Sequence, residues 1–303
     1  MSKPYSRKLD RNPTFSSANK LVASRRQFLR LGGSLLGMLA LSSLPSNVFG
    51  ASKRLSRVAA YPFTLGVASG DPTSDSVILW TRIDPAALIG LGVDNDAIDV
   101  DYEVATDSNF TTIIRTVNIV APPQLGYSAH LELRGLSPQT VYFYRWRLGG
   151  EISPVGRTKT APLASASVQS FRFAVASCQQ YEQGFFTAYD HMSKEDLDLI
   201  VHLGDYIYES SWGDVLVRRH EGPEIVTLND YRARYTTYKS DADLQSAHAS
   251  APWAITWDDH EVDNNYASYI AEDDQTPDQL LARRAAAYQA FYEFTPIRLP
   301  VGR

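Results

Sequence analysis

Short runs of alternating apolar and polar residues recur at Phe63 to Ala68, Ser76 to Arg82, Ile98 to Ala105, Thr112 to Val120, Ser128 to Leu133 and Val141 to Leu148. Turn-forming stretches such as SGDPTSD, LSPQT and LGGE separate them. A period of two between glycine- and proline-bearing turns predicts strands, and several such strands in about a hundred residues predict a β-sandwich over residues 61–160. The small, polar segment APLASASVQ, residues 161–169, reads as a linker. Beyond it the pattern changes. In residues 170–303, FRFAVAS and LDLIVHLGD are short apolar runs that bracket a segment of helical character, and Asp230 to Lys239 and Pro277 to Phe294 carry apolar residues at three- and four-residue spacing. Strand, helix, strand and further packing helices predict an α/β unit.

Within the first unit, Leu136, Pro138, Thr140 and Tyr142 of LRGLSPQTVYFYRWR resemble the corner of a fibronectin type III or immunoglobulin-like domain. Such corners hydrogen-bond a tyrosine back to the backbone. Tyr142, Phe143, Tyr144 and Trp146 suit the two faces of a core strand, which favours a supporting role over partner binding.

The chemistry gathers where apolar runs stop. The first run of the α/β unit ends in Ser177-Cys178-Gln179 and the second in Gly204-Asp205, with Tyr208 and Glu209 just beyond. A third cluster, WAITWDDHEVDNNY, brings Asp258, Asp259, His260, Glu261, Asp263, Asn264 and Asn265. Open α/β sheets build their sites at carboxyl strand ends. A strand-end carboxylate such as Asp205 is a natural bridge between two cations. Phenolate and thiolate suit iron, carboxylate and amide oxygens suit calcium or magnesium, and imidazole suits iron or zinc. Taken singly, Cys178 reads as a small buried hydrophobe, Tyr208 as a packed ring and Asp258-Asp259 as a turn cap. Three strand ends finishing in ligand-type residues are a coincidence that core packing does not produce. His130, His191, His202, His220 and His248 show no partner pattern, and VRRHEG offers Arg218 or Arg219 either to a phosphate or to solvent as a basic turn.

Charge divides the chain unevenly. The first fifty residues hold eight Lys/Arg against one acid, whereas the whole chain of 303 residues is at −5, so the remainder is acidic and unlike a nucleic-acid binder. With one cysteine, no internal disulfide can form. Ser24-Arg25-Arg26-Gln27-Phe28-Leu29-Arg30 and the apolar run that follows resemble a twin-arginine export signal. That run, Leu31 to Leu44, is fourteen residues, short of the roughly twenty that span a bilayer. Residues 1–50 are therefore read as signal peptide and cleavage region, with small residues before a cut at Val48 and Gly50 or at Val58 and Ala60. The expected destination is periplasmic or secreted, with the twin-arginine machinery as a partner and no stable membrane span after processing. Export in the folded state suits a protein whose cofactor is inserted beforehand.

SCQQYEQGFFTAY, LGDYIYE and TWDDHEVDNNYA, in that order behind the signal and the small β domain, resemble the PhoD-like alkaline phosphatases, also called the alkaline phosphatase D and phospholipase D family. The resemblance runs from Phe63 to Arg303. It implies a calcineurin-like metallophosphoesterase core that holds Fe3+ and Ca2+ and hydrolyses phosphate mono- and diesters. It further implies Cys178 and Tyr208 as iron ligands, Asp205 as the bridging carboxylate, Asn264 as a ligand of the second metal, and Asp259 and His260 as catalytic groups near substrate and metals. Related phosphoesterases carry their amide ligand in a GN-His-Glu motif, where this chain has Asp258-Asp259-His260-Glu261. Family members continue past Arg303 with further Asp and His ligands, so the expectation is an incomplete phosphoesterase domain of low activity by itself. The rival is a non-catalytic exported binding protein with a degenerate phosphatase unit. Neither a GxGxxG or Walker loop, a GxSxG elbow nor HExxH is present, against nucleotide binding and serine hydrolysis.

Overall fold

Eleven strands and four α-helices build the described part of the chain, residues 52–299 of a computed structural model. The export signal expected over residues 1–50 lies outside the described residues. Strands β1 (Val67–Gly70), β2 (Ser76–Arg82) and β5 (Ser128–Arg134) pair antiparallel on one side of the first unit. Opposite them stand β3 (Ile98–Ala105), β4 (Ile113–Ala121), β6 (Val141–Leu148), β7 (Glu151–Ile152) and β8 (Gly156–Lys159). Val77 and Leu79 from one sheet and Val100, Tyr144 and Trp146 from the other share a single buried core, as alternation demands of two packed sheets. The expected tyrosine corner forms: the Ser137 N–H donates to the Tyr142 hydroxyl at 3.0 Å.

The first strand begins later than its apolar run. Gly66, at a φ of 69°, closes a turn onto the Phe63 carbonyl, so Phe63 and Leu65 enter the core from a loop.

The second unit continues the same sheet. Strands β9 (Phe173–Ala176), β10 (Leu199–His202) and β11 (Trp253–Ile255) run parallel, and β11 pairs with β1 at Gly70, giving the order β5-β2-β1-β11-β10-β9. The junction admits only glycine: a Cβ on Gly70 would lie 2.3 Å from the Pro296 carbonyl oxygen. The two units are thus joined by strand pairing as well as by the segment 161–169.

Helices α1 (Thr187–Ser193), α2 (Leu228–Lys239), α3 (Ala242–Ser250) and α4 (Pro277–Phe294) supply the second core. Helix α2 starts at a capping box of Thr227 and Asp230, and α4 at one of Thr276 and Gln279 with Pro277 in its first turn. Tyr231, Tyr235, Leu244, Phe291 and Phe294 from these helices pack with Ile200 and Trp253 of the sheet. Among the described residues, no helix is long and apolar enough to cross a membrane.

Candidate metal centre

The three parallel strands stop within a few residues of each other's ends, and the backbone then turns in conformations ordinary residues rarely adopt. Cys178 has a φ of 53°, Gly204 of 110° and Asp205 of 55°. The Cys178 N–H donates to the Gly204 carbonyl and the Gln179 N–H to that of Asp205, each at 3.1 Å, which ties the loop after β9 to the loop after β10. Glu261 ties the third. Its buried carboxylate accepts the backbone N–H groups of Asp205 at 3.1 Å, of Asp258 at 2.6 Å and of Tyr206. Three donors arranged round one carboxylate fix the loops after β10 and β11 against each other, and strain at consecutive left-handed residues is the kind of feature found at functional sites.

On this frame Asp205, Asp259 and His260 each offer a ligand atom within 4.8 Å of the others. Asp205 also belongs to a second group. The Tyr208 hydroxyl donates to its Oδ2 at 3.2 Å, and the Cys178 thiol hydrogen-bonds it from the end of β9. Asp205 Oδ1 is buried with no hydrogen-bond partner. An orphaned buried carboxylate oxygen costs free energy, so the arrangement fits a positive group between these side chains.

The electrostatics agree. Burial raises the Asp205 carboxyl above its usual range. Burial and the Asp205 charge push the Tyr208 phenol up as well. Ser177 hydrogen-bonds the Cys178 thiol in favour of the thiolate, but burial and Asp205 outweigh it and the thiol is raised. Burial and their mutual repulsion make these three neighbouring acids keep a proton, and the charge of His260 offsets this only in part at Asp205. A hard cation would reverse that preference. Carboxylate, imidazole, phenol and thiol donors together fit a bound metal cation.

His260 is held differently. Its Nδ1 lies 2.7 Å from Glu209 Oε2, and its ring packs at a tilt against Tyr208 at 4.2 Å between centroids, with Trp212 edge-on at 5.3 Å. Burial alone would lower the imidazole, but the Glu209 hydrogen bond and the charges of Glu209, Asp205 and Asp259 raise it.

Asn264 stands to one side. Its amide bonds Glu272, and it lines a cavity of about 430 Å³ with Glu209, Trp212, Glu224, Asp263 and Glu272. Asn265 connects that cavity to the cluster, its N–H donating to Asp259 Oδ2 at 2.6 Å and its amide to Glu272 at 3.1 Å. The two arginines part company. Arg218 pairs with Asp241 at 2.6 Å, donates to the Tyr181 carbonyl at 2.5 Å and lies 3.7 Å over the Tyr181 ring. Arg219 is exposed.

Nothing in the sequence separates Glu209 and Glu261 from the other ligand-type residues beside them or gives His220 a partner. The structure puts His220 between Glu182 and the Tyr238 hydroxyl, which also accepts the Tyr208 N–H at 3.2 Å and so braces the backbone of Tyr208. Only the closeness of Glu209 to Tyr208 in sequence hinted at any of this.

The fold is that of an α/β protein attached to a β-sandwich, with a candidate cation-ligand group at its parallel strand ends. Residues 173–302 match the PhoD-like phosphatase family, and residues 50–162 match the N-terminal domain of PhoD-like phosphatases. Both segments thus show strong homology to the PhoD-like phosphatases. It is 50% identical over 284 residues to alkaline phosphatase D of Bacillus subtilis (strain 168), a match that takes in 91% of this chain and 48% of that protein. A solved structure of PhoD superposes with a TM-score of 0.76 at 54% identity, over 80% of this chain and 47% of that one. The chain thus spans about half the length of the relatives it matches. A purple acid phosphatase from yellow lupin seeds aligns at a TM-score of 0.45 and 16% identity, over 75% of this chain and 40% of its own, too slight a likeness to argue from.

Proposed function

We propose that this chain carries the metal-binding strand ends of an exported phosphoesterase that hydrolyses phosphate mono- and diesters. The observation that carries the reading is the position of Asp205, which belongs to both the Cys178–Tyr208 group and the Asp259–His260 group and keeps one buried oxygen without a partner. In this reading Cys178, Tyr208 and Asp205 would hold Fe3+, and Asp205 and Asn264 would serve a second metal, Ca2+. Bound metals supply the positive charge that polarises a phosphate ester and makes water acidic enough to attack near neutral pH.

The chain's own residues supply the rest. Glu261 fixes the loops so that the donors converge without rearrangement. Glu209 accepts from His260 Nδ1, which fixes the ring and leaves the Nε2–H to the substrate. His260, raised above its ordinary value, holds a proton it can release to a departing alkoxide. Asp259, kept in place by the Asn265 N–H, orients the group beside it. Arg219 remains available to a substrate phosphate, whereas Arg218 is committed to Asp241 and Tyr181.

The β-sandwich is read as fibronectin III- or immunoglobulin-like on the strength of the Ser137–Tyr142 hydrogen bond. Residues 1–50 are read as a twin-arginine signal that delivers the folded, metal-loaded protein to the periplasm or beyond. Metal content and turnover of a nitrophenyl phosphate monoester and diester, measured on purified protein beside Asp205→Asn, test the reading. Metal bound by the wild type and lost with the substitution, together with hydrolysis, supports it. Low turnover by the chain alone is expected of an incomplete domain; protein that takes up no metal at all, or metal uptake that Asp205→Asn leaves unchanged, refutes the reading.

A further inference from the structure

Tyr208 points back along the chain. Its hydroxyl meets Asp205 Oδ2 three residues upstream, across a turn that opens with Asp205 in a left-handed conformation. Helix α2 holds the backbone that carries it. The Tyr238 hydroxyl accepts the Tyr208 N–H at 3.2 Å, and Arg234 Nη1 donates to the Tyr208 carbonyl. That N–H lies in the peptide plane before the Tyr208 Cα and that carbonyl in the plane after it. Holding both planes sets φ and ψ, and with them the direction in which the side chain leaves the backbone. The second plane also belongs to Glu209, whose own carbonyl accepts the Ile225 N–H at 3.0 Å. Arg234 thereby serves the carboxylate that holds His260 as well as the phenol that meets Asp205.

The two contacts form one unit. Arg234 and Tyr238 stand four residues apart on one face of α2, and His220 bridges them. A guanidinium only donates, so His220 Nδ1, 3.1 Å from Arg234 Nη1, is the acceptor, and Nε2 carries the proton that faces the Tyr238 hydroxyl at 3.1 Å. Burial and the Arg234 charge keep this imidazole neutral, as that arrangement requires. Glu182 then ties His220 to the loop beyond the site, accepting the His220 N–H at 2.8 Å and the Ser211 hydroxyl at 3.0 Å. Arg234 is 3% exposed, and its hydrogen bonds among the described residues go to a carbonyl and an imidazole, not to a carboxylate. A charge buried in that way costs stability, and a core built of Tyr231, Tyr235 and Tyr238 has no packing need for one.

We infer that Arg234 and Tyr238, joined through His220, are positioning residues of the strand-end site: they fix both peptide planes of Tyr208 and the first of Glu209, and so aim the phenol at Asp205 and the carboxylate at His260. The inference rests on the phosphoesterase reading only in holding that the aimed phenol serves a metal.

The test compares the full 303-residue chain with Tyr238→Phe and Arg234→Met, first with chelator present. Tyr238→Phe removes one oxygen and leaves the ring that packs against Tyr181 and Phe186. NMR reads the Tyr208 amide and ring directly, with Tyr208→Phe for assignment. Exchange of the Tyr208 N–H should quicken by about tenfold or more in Tyr238→Phe, and the Tyr208 ring resonances should move in both variants. Leu244→Ala opens a cavity in the core of α3, outside these hydrogen bonds, so it lowers stability without touching the contacts. It should leave the Tyr208 resonances in place. Resonances unchanged in both variants overturn the proposal, as do resonances that Leu244→Ala moves as far. Ferric iron is then added. Both variants should take it up about ten- to a hundredfold more weakly than wild type. Tyr208 resonances that move as expected, in proteins that all fail to take up iron, keep the positioning roles and remove the phosphoesterase reading. Equal iron uptake by wild type and both variants keeps that reading and overturns the positioning roles.

Discussion

A Cβ placed on Gly204 would lie 2.5 Å from the Cβ of Asp258, so the loops after β10 and β11 meet where only a glycine leaves room. The φ of 110° at Gly204 excludes other residues independently. Gly204→Ala must then displace Asp258 or Cys178, whose N–H bonds the Gly204 carbonyl. The expected cost is roughly 2–4 kcal/mol, from backbone strain plus overpacking. Urea denaturation measures it, and a loss under about 0.5 kcal/mol, the level of an ordinary surface change, would mean the loops do not depend on this contact.

Asp205→Asn separates the cost of the site from its use. With chelator present, replacing a buried carboxyl that lacks a partner for one oxygen should leave stability unchanged or raise it by about 1 kcal/mol. Addition of iron or calcium should raise the melting temperature of the wild type, since a ligand at a hundred times its dissociation constant stabilises by about 2.7 kcal/mol. The variant should not respond. Equal metal-induced shifts in the two proteins would remove Asp205 from the ligand set.

The sequence shows which residues stand at strand ends but not what holds them there. Strands β2, β3 and β6 and helix α4 form over the residues their periodicity predicts, because alternation or capping is written locally in each. Strand β8, GRTK, and helix α3, ADLQSAHAS, carry too little apolar contrast to be read that way. The pairing of Gly70 with Trp253 depends on two segments far apart in the chain, so no local pattern reports it. The same limit applies to the site. Glu261 acquires its role from N–H groups up to 56 residues away, and Arg218 loses its apparent freedom only when Tyr181 and Asp241 arrive beside it.

Glu209→Gln keeps an acceptor beside His260 Nδ1 and removes its charge. The His260 pKa, raised in the wild type despite burial, should fall toward or below its ordinary value, as followed by imidazole NMR in chelated protein. A histidine raised on folding contributes stability that is complete below its unfolded pKa and is lost as pH rises through the folded one. The variant should therefore lose more stability, relative to wild type, at pH 6 than at pH 8.5. An unchanged titration would show that the other carboxylates, not Glu209, hold the proton.

Arg25 and Arg26 carry the export reading. Replacing both by lysine keeps the charge and removes the planar guanidinium groups. The precursor should then accumulate in the cytoplasm of an expressing bacterium, as cell fractionation will show, and unimpaired export of the double variant would end the twin-arginine reading.

Lys239, the last residue of α2, is 1% exposed, and its ammonium has no hydrogen-bond partner. It sits 4.3 Å over the Trp80 ring and 5.8 Å from that of Tyr206. From α3 it is faced by His248, which bonds the Tyr206 hydroxyl and is held neutral, its pKa pushed well below the ordinary value by burial and by Lys239 itself. Burial lowers the Lys239 pKa to about 7, against an ordinary value near 10.4 in the unfolded chain. Between those values the unfolded state binds the proton and the folded state does not, so this group makes stability rise with pH. From pH 7 to pH 9 the gain is up to about 2–3 kcal/mol. Tyr206 and Tyr235 do not titrate in that window, because burial raises both. Lys239→Met fills the same space without a charge and should flatten the rise while increasing stability most at pH 7 and below, where the wild type buries an unpaired ammonium. Urea titrations of both proteins at pH 6.5, 7.5 and 9 decide the matter. A wild type whose stability is level across that range, or a variant that is less stable at pH 6.5, would mean that the aromatic rings hold the charged lysine at no cost.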